Sequence, residues 1–110
     1  MYDANARLTG TTVVDVPRRA DFSIDEEAVL ARVAEGGIDY LVVTSPNNPT
    51  GELASETFIL KLLDATDALV MVDEAYFEFS RLTMRPYLAQ HKNLVILRTF
   101  SKAFSLAGVR

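Results

Sequence analysis

Three short and unbroken apolar runs lie between residues 40 and 97 of the chain, and polar residues follow each of them. The runs are Tyr40–Thr44, Leu69–Val72 and Leu94–Leu97. Continuous apolarity is typical of strands that are buried on both faces, as in parallel sheets. Segments of helix length separate the runs, which indicates right-handed βαβ units. We therefore predict an α/β fold in three layers, with a mostly parallel sheet flanked by helices.

A fourth strand is predicted nearer the N-terminus. Thr11–Val16 is rich in β-branched residues and alternates in polarity, and Pro17 closes it; this pattern is typical of a half-buried strand. The preceding segment, Met1–Leu8, is expected to be helical and to end at Gly10. This predicted strand precedes the other three along the chain.

Two helices are predicted, one before the first apolar run and one between the first and the second. Ser23 and Glu26 have the spacing of a capping box, which predicts a helix that ends at Gly36. Ser55 is expected to begin the next helix. Apolar residues at helical spacing should face the sheet: Val29, Leu30 and Val33 in the first helix, and Phe58, Ile59, Leu62 and Leu63 in the second.

Composition limits the partners that this chain could have. Its 110 residues suffice for one domain, and 49% are hydrophobic, which allows a buried core. The formal net charge of −4 is spread along the chain and gives no reason to expect nucleic acid or an anionic membrane as partner. There is no cysteine, so thiolate metal sites are excluded, and we expect no metal centre. Without an apolar run of roughly 20 residues or a signal-peptide pattern, a cytoplasmic location is predicted.

Polar residues follow three of the predicted strands within five residues of the strand end. They are Asn48, Asp73 and Lys102, and they should meet because the carboxyl ends of parallel strands share one edge of a sheet. Taken singly, each has a simpler interpretation: Asn48 as a turn former, Asp73 as a helix cap and Lys102 as a solvated lysine. The neighbouring Glu74 is expected to be a surface acid. The conjunction of all three at one edge favours a site.

A pyridine aldehyde that carries a phosphate would find complementary groups at this edge. It needs an amine, a carboxylate at the ring nitrogen, donors to the phenolic oxygen and a cationic, hydroxyl-rich phosphate cup. Lys102 would be the amine, and Asp73 would keep the ring nitrogen protonated. Asn48 and Tyr76 would donate to the phenolic oxygen and stabilise its charged form. The phosphate ligands would be Thr99, Ser101 and Arg110.

Three motifs resemble the pyridoxal-phosphate aminotransferases of fold type I. They are S-P-N-N-P-T-G at 45–51, V-D-E-A-Y at 72–76 and R-T-F-S-K-A-F-S-L-A-G-V-R at 98–110. They occur in the family order and resemble most the histidinol-phosphate aminotransferase branch. The resemblance implies that Lys102 is both the Schiff-base lysine and the acid and base that moves the substrate proton. It also implies catalytic roles for Asp73 and Tyr76, and amino transfer between histidinol phosphate and 2-oxoglutarate or glutamate.

The resemblance also implies how much of such an enzyme the chain represents. We expect residues 1–110 to be an internal part of the large, cofactor-binding domain, without the N-terminal arm and the small C-terminal domain. Tyr2 falls slightly too late to be the aromatic residue that stacks on the cofactor. The 110 residues alone are therefore expected to have little transaminase activity, and the full-length parent is expected to be a homodimer.

Other functions remain open at this point. Within the same fold, an aromatic or broad-specificity aminotransferase and a threonine-phosphate decarboxylase are alternatives. A phosphate-binding α/β module without catalysis is another, although the chain has neither G-x-G-x-x-G nor a Walker sequence. The last alternative is that the chain is a degenerate remnant with a purely structural role.

Overall fold

The computed structural model describes residues 1–109. The helices are α1 (Tyr2–Leu8), α2 (Glu26–Ala34), α3 (Glu56–Ala65) and α4 (Phe77–Ser80), and the strands are β1 (Tyr40–Thr44), β2 (Leu69–Asp73) and β3 (Leu94–Leu97). Single turns of 3₁₀-helix occur at Arg85–Tyr87 and Ala107–Val109. No helix within residues 1–109 has the length and apolarity to cross a membrane.

The three strands form one parallel sheet in the order β1-β2-β3. The register pairs Thr44 with Asp73 and Asp73 with Leu97, so the three carboxyl ends lie side by side. The α/β fold and three of the predicted strands are therefore confirmed. Aligned strand ends bring the loops that follow them to one edge of the sheet.

The main core lies between the sheet and the pair of helices α2 and α3. The four residues of α3 predicted to face the sheet are all buried, namely Phe58, Ile59, Leu62 and Leu63. They cluster with Val43 of β1, Val70 and Val72 of β2, and Leu94 of β3. Burial of this apolar stripe supplies most of the driving force that holds the helices on the sheet.

Helix α1 lies on the opposite face of the sheet. Its residues Tyr2 and Ala6 line a small cavity together with Val42 of β1 and Met71 of β2. These strand residues alternate with those of the main core, and alternate residues of a strand point to opposite faces. The three-layer arrangement is thus confirmed. Asp73 lies two residues after Met71 in β2, so it belongs to the face of the sheet on which α1 lies.

The predicted strand at Thr11–Val16 is absent, and that prediction was wrong. The segment has no strand assignment, and a cavity of about 940 Å³ is lined both by it and by β1. The segment has the alternating pattern of a strand, but a strand also requires a partner that accepts and donates its backbone hydrogen bonds. Within residues 1–109 the segment therefore pairs with no strand of the sheet.

The start of α2 also differs from the sequence prediction. The helix is capped by Asp25, whose carboxylate accepts a hydrogen bond from the Ala28 amide at 3.1 Å. Ser23 instead donates to Asp21 through its hydroxyl and its amide. The nearer carboxylate therefore replaces the predicted serine. By contrast, Ser55 caps α3 as predicted, because its Oγ accepts from the Phe58 amide at 3.1 Å.

Candidate active site

Backbone hydrogen bonds carry the sheet one residue beyond its strands and align the loops of the site. The Ser45 amide donates to the Asp73 carbonyl at 3.0 Å, and the Glu74 amide donates to the Leu97 carbonyl at 2.9 Å. The loops after β1, β2 and β3 therefore begin next to one another. Each carries residues that the sequence predicted to belong to one site.

Asn48 and Tyr76 meet across this edge although 28 positions separate them. The Asn48 side-chain amide donates to the Tyr76 hydroxyl oxygen at 2.9 Å. The loop that carries Asn48 is closed by two backbone bonds, from the Asn47 amide to the Glu52 carbonyl and from the Gly51 amide to the Asn47 carbonyl, both at 2.8 Å. Gly51 has a φ of 71°, which a residue with a Cβ adopts only with strain. The loop therefore holds Asn48 toward Tyr76.

Lys102 lies beside the same tyrosine. Its ammonium nitrogen is 5.7 Å from the centroid of the Tyr76 ring, within the range in which a cation is attracted to an aromatic face. Lys102 is exposed, as a solvated lysine would be. Its position nonetheless puts an amine next to the Asn48–Tyr76 pair, which is what the sequence predicted for a site.

Asp73 ends β2 with both carboxylate oxygens engaged. Oδ1 accepts from the Ala75 amide at 3.0 Å, which resembles the capping role considered from the sequence. Oδ2 accepts from the hydroxyl of Tyr2 at 2.5 Å. Burial and this bond to the carboxylate raise the pKa of Tyr2 above its ordinary value. The donors fix the orientation of the Asp73 carboxylate.

Tyr2 is a residue that the sequence reasoning did not place in the site. From the sequence, Tyr2 is only a candidate for the stacking aromatic, and its position is slightly too late for that role. The structure instead brings its hydroxyl to Asp73, 71 positions away. No local pattern signals this contact, because it depends on α1 crossing the sheet face to which Asp73 belongs.

Thr99 and Ser101 form a local hydroxyl pair after β3. Their Oγ atoms are 2.9 Å apart, and the Ser101 amide donates to the Thr99 hydroxyl oxygen at 3.1 Å. Within residues 1–109 this pair makes no hydrogen bond to Asn48, Asp73 or Tyr76. Arg110, the third predicted phosphate ligand, lies outside the described residues. The pair thus follows β3 at the edge where the other loops of the site begin.

Glu74 is buried, so the prediction that it is a surface acid was wrong. Only 1% of its surface is exposed, and its Oε2 accepts from Arg98 Nη2 at 2.7 Å. The error has a physical reason: successive residues at a strand end point to opposite sides, so Glu74 turns away from Asp73. Its partner Arg98 is the residue that follows β3, and no local pattern links the two.

Removal of the Tyr2 hydroxyl should change stability in a pH-dependent manner. Because the folded state raises the pKa of Tyr2 above the ordinary value of 10.0, its stabilisation is complete below pH 10 and is lost as the pH rises further. Tyr2→Phe should therefore unfold about 1 kcal/mol more easily at pH 8. The two unfolding free energies should converge above pH 10.

Urea denaturation of both proteins at pH 8 and pH 11 would measure this effect. Tyr87, whose pKa is also raised by its bond to Glu56, is present in both proteins and cancels. If the unfolding free energies of the two proteins differ by the same amount at pH 8 and at pH 11, the assignment of the Tyr2–Asp73 bond is contradicted.

Comparison with known proteins identifies relatives over the whole chain. The family model for aminotransferase class I and II matches residues 1–110. A histidinol-phosphate aminotransferase of Methanococcoides burtonii is 48% identical over 99% of this chain and 30% of its own length. The chain thus spans about a third of the length of such relatives.

Solved structures give the same result for the fold. The histidinol-phosphate aminotransferase from Clostridium acetobutylicum superposes with a TM-score of 0.91 at 25% identity, over 99% of this chain and 34% of that one. The enzyme from Sinorhizobium meliloti in complex with pyridoxal-5'-phosphate gives 0.84 at 30% identity, over 99% and 31%. The likeness confirms the fold that the three sequence motifs implied.

Proposed function

The chain belongs to the class I and II aminotransferase family, and from that premise we propose that its carboxyl-edge site serves pyridoxal-phosphate-dependent amino transfer. The proposed donor is histidinol phosphate and the proposed acceptor is 2-oxoglutarate. The observation that carries the proposal is the meeting of Lys102, Tyr76 and Asn48 at the edge where Asp73 ends β2. These groups are far apart in sequence and chemically matched to one cofactor.

The residues present fit that cofactor. When bound, it supplies an aldehyde for an amine and a ring that accepts the electrons released with the substrate α-proton. Lys102 would hold it covalently, and its amine, once released, would move the proton at the substrate α-carbon. The Asp73 carboxylate would keep a proton on the ring nitrogen, because an adjacent negative charge favours the charged form.

The bond between Asn48 and Tyr76 determines how the tyrosine can act. Since the Tyr76 oxygen accepts from the Asn48 amide, the hydroxyl proton of Tyr76 is free to be donated elsewhere. We assign that proton to the phenolic oxygen of the cofactor. A hydrogen bond donated to that oxygen would stabilise its charged form.

The phosphate would be held by the segment that follows β3. Thr99 and Ser101 present adjacent hydroxyls, and Arg110 is the proposed cation, which could bind phosphate through two nitrogens at once. A cytoplasmic location and a homodimeric full-length protein stay predictions.

The identity of the amino donor rests on the names of the relatives. Steady-state assays of the full-length protein with histidinol phosphate and with phenylalanine would separate the proposed donor from that of an aromatic aminotransferase. We expect kcat/KM to be higher for histidinol phosphate. A preference for phenylalanine would contradict the assignment of the donor but not the chemistry of the site.

Covalent capture of the cofactor tests the central proposal. The chain has three lysines, Lys61 on α3, Lys92 before β3, and Lys102. Incubation with pyridoxal phosphate followed by borohydride reduction should label Lys102 alone, as located by peptide mass spectrometry. The other two lysines are internal controls for non-specific reaction. Labelling that is equal at all three, or absent from Lys102, would contradict the proposal.

A further inference from the structure

Glu74 stands out because it is a buried acid that the proposed chemistry does not use. Its Oε2 accepts from Arg98 Nε at 2.8 Å and from the Thr83 hydroxyl at 2.8 Å. Its Oε1 accepts from the Met84 amide at 2.8 Å. A buried carboxylate is costly unless it is paired and hydrogen-bonded, and this one has partners on both oxygens. The place of this carboxylate in the fold therefore needs an explanation.

The Glu74–Arg98 pair joins the ends of two strands that carry the site. Glu74 directly follows Asp73, and Arg98 directly precedes Thr99 and stands four residues before Lys102. The backbone reinforces the link, because the Glu74 amide donates to the Leu97 carbonyl at 2.9 Å. A shift of either partner would therefore move a residue of the proposed site.

The Arg98 side chain is constrained on more than one side. Its guanidinium carbon is 3.5 Å from the centroid of the Phe77 ring, and its Nη2 also donates to the Thr83 hydroxyl at 3.0 Å. Phe77 directly follows Tyr76. Glu74, Arg98 and Phe77 are therefore each adjacent in sequence to a residue of the proposed site. A planar guanidinium can meet a carboxylate and an aromatic face together, which a lysine ammonium cannot reproduce.

We propose that Glu74 is a positioning residue for the amino-transfer site. Through its buried pair with Arg98, it sets the separation between Asp73 at the end of β2 and the segment 99–102 after β3. Both ends of the cofactor depend on that separation, since Asp73 serves the ring and the segment after β3 serves the aldehyde and phosphate. The inference rests on the proposed function and adds a determinant of cofactor affinity that touches neither cofactor nor substrate.

Cofactor titration of Glu74→Gln and Arg98→Lys in the full-length protein tests the proposal. Both variants keep the approximate side-chain length; Glu74→Gln removes the negative charge, and Arg98→Lys keeps the positive charge but removes the two-nitrogen contact. We expect the dissociation constant for pyridoxal phosphate, followed by absorbance, to rise about 10- to 100-fold, because small misplacements of positioned groups have effects of this size. Thr83→Val, which removes one hydroxyl and keeps the ion pair, should shift it in the same direction by less.

A matched control separates position from stability. Leu62→Ala removes a core side chain that is 0% exposed and should lower the unfolding midpoint without changing the dissociation constant. If Glu74→Gln behaves like Leu62→Ala, with lower stability and unchanged cofactor affinity, the inference is overturned and Glu74 is structural only. Failure of the unsubstituted protein to label at Lys102 would instead overturn the proposed function, and this inference with it.

Discussion

Replacement of Lys102 by alanine is expected to lower the turnover of amino transfer by about 10⁴-fold or more. The variant would lose both roles proposed for this amine, the covalent hold on the cofactor and the movement of the substrate proton. The position of its ammonium beside the Tyr76 ring, 5.7 Å from the centroid, supports this assignment. The measurement is the rate of glutamate formation from histidinol phosphate and 2-oxoglutarate by the full-length protein.

The other lysines of the chain provide matched controls for this result. Lys61→Ala changes a residue of α3, and Lys92→Ala changes one at the opposite end of β3 from the site. Both variants should keep turnover within about twofold, because surface substitutions away from a site have small effects. Lys102→Arg should be as inactive as the alanine variant, since it keeps the charge but not a nucleophilic amine. Turnover above a tenth of normal in Lys102→Ala would contradict the assignment.

The fold was predictable where one local pattern decides the outcome. The unbroken apolar runs at Tyr40–Thr44 and Leu94–Leu97 indicated buried parallel strands, and the structure has both with these bounds. Ser55 was predicted to begin a helix, and its hydroxyl caps α3. In these cases, local propensity and tertiary packing agree.

The failed predictions concern contacts that lie far apart in sequence. Thr11–Val16 has a strand pattern, but a pattern does not supply a pairing partner. Glu74 follows a strand as a polar residue, and only the fold shows that Arg98 reaches it. Tyr2 reaches Asp73 because α1 crosses one face of the sheet. Each outcome depends on tertiary structure, which overrides what a short window of sequence indicates.

The candidate site lies between these two cases. That Asn48, Asp73 and Lys102 share one edge follows from a general rule for parallel sheets, so it could be predicted before the structure. The hydrogen bond from Asn48 to Tyr76 could not be predicted, because the loop that contains Gly51 determines where the amide points. The sequence therefore predicts which groups share the edge, and the structure adds how they are oriented.

Asp73→Asn is expected to lower turnover by about 10²- to 10³-fold, the usual effect of removing one preorganised electrostatic contact. The amide keeps the shape of the side chain: its oxygen can still accept from the Ala75 amide, and its nitrogen can donate to the Tyr2 hydroxyl oxygen in place of the present bond. It cannot balance a positive charge on the ring nitrogen, so the ring would accept electrons less readily. The expected loss is therefore in kcat, with a smaller change in cofactor affinity.

Two further variants test the role of the charge, one at this position and one at an exposed carboxylate. Asp73→Glu restores the charge on a longer side chain and should recover part of the activity that Asp73→Asn loses. Asp64→Asn removes a carboxylate whose side chain is 77% exposed and should leave turnover unchanged. If Asp73→Asn retained normal kcat while still carrying cofactor on Lys102, the carboxylate would have no role at the ring nitrogen. Its bonds to Ala75 and Tyr2 would then be its whole function, as the helix-cap interpretation of this aspartate would have it.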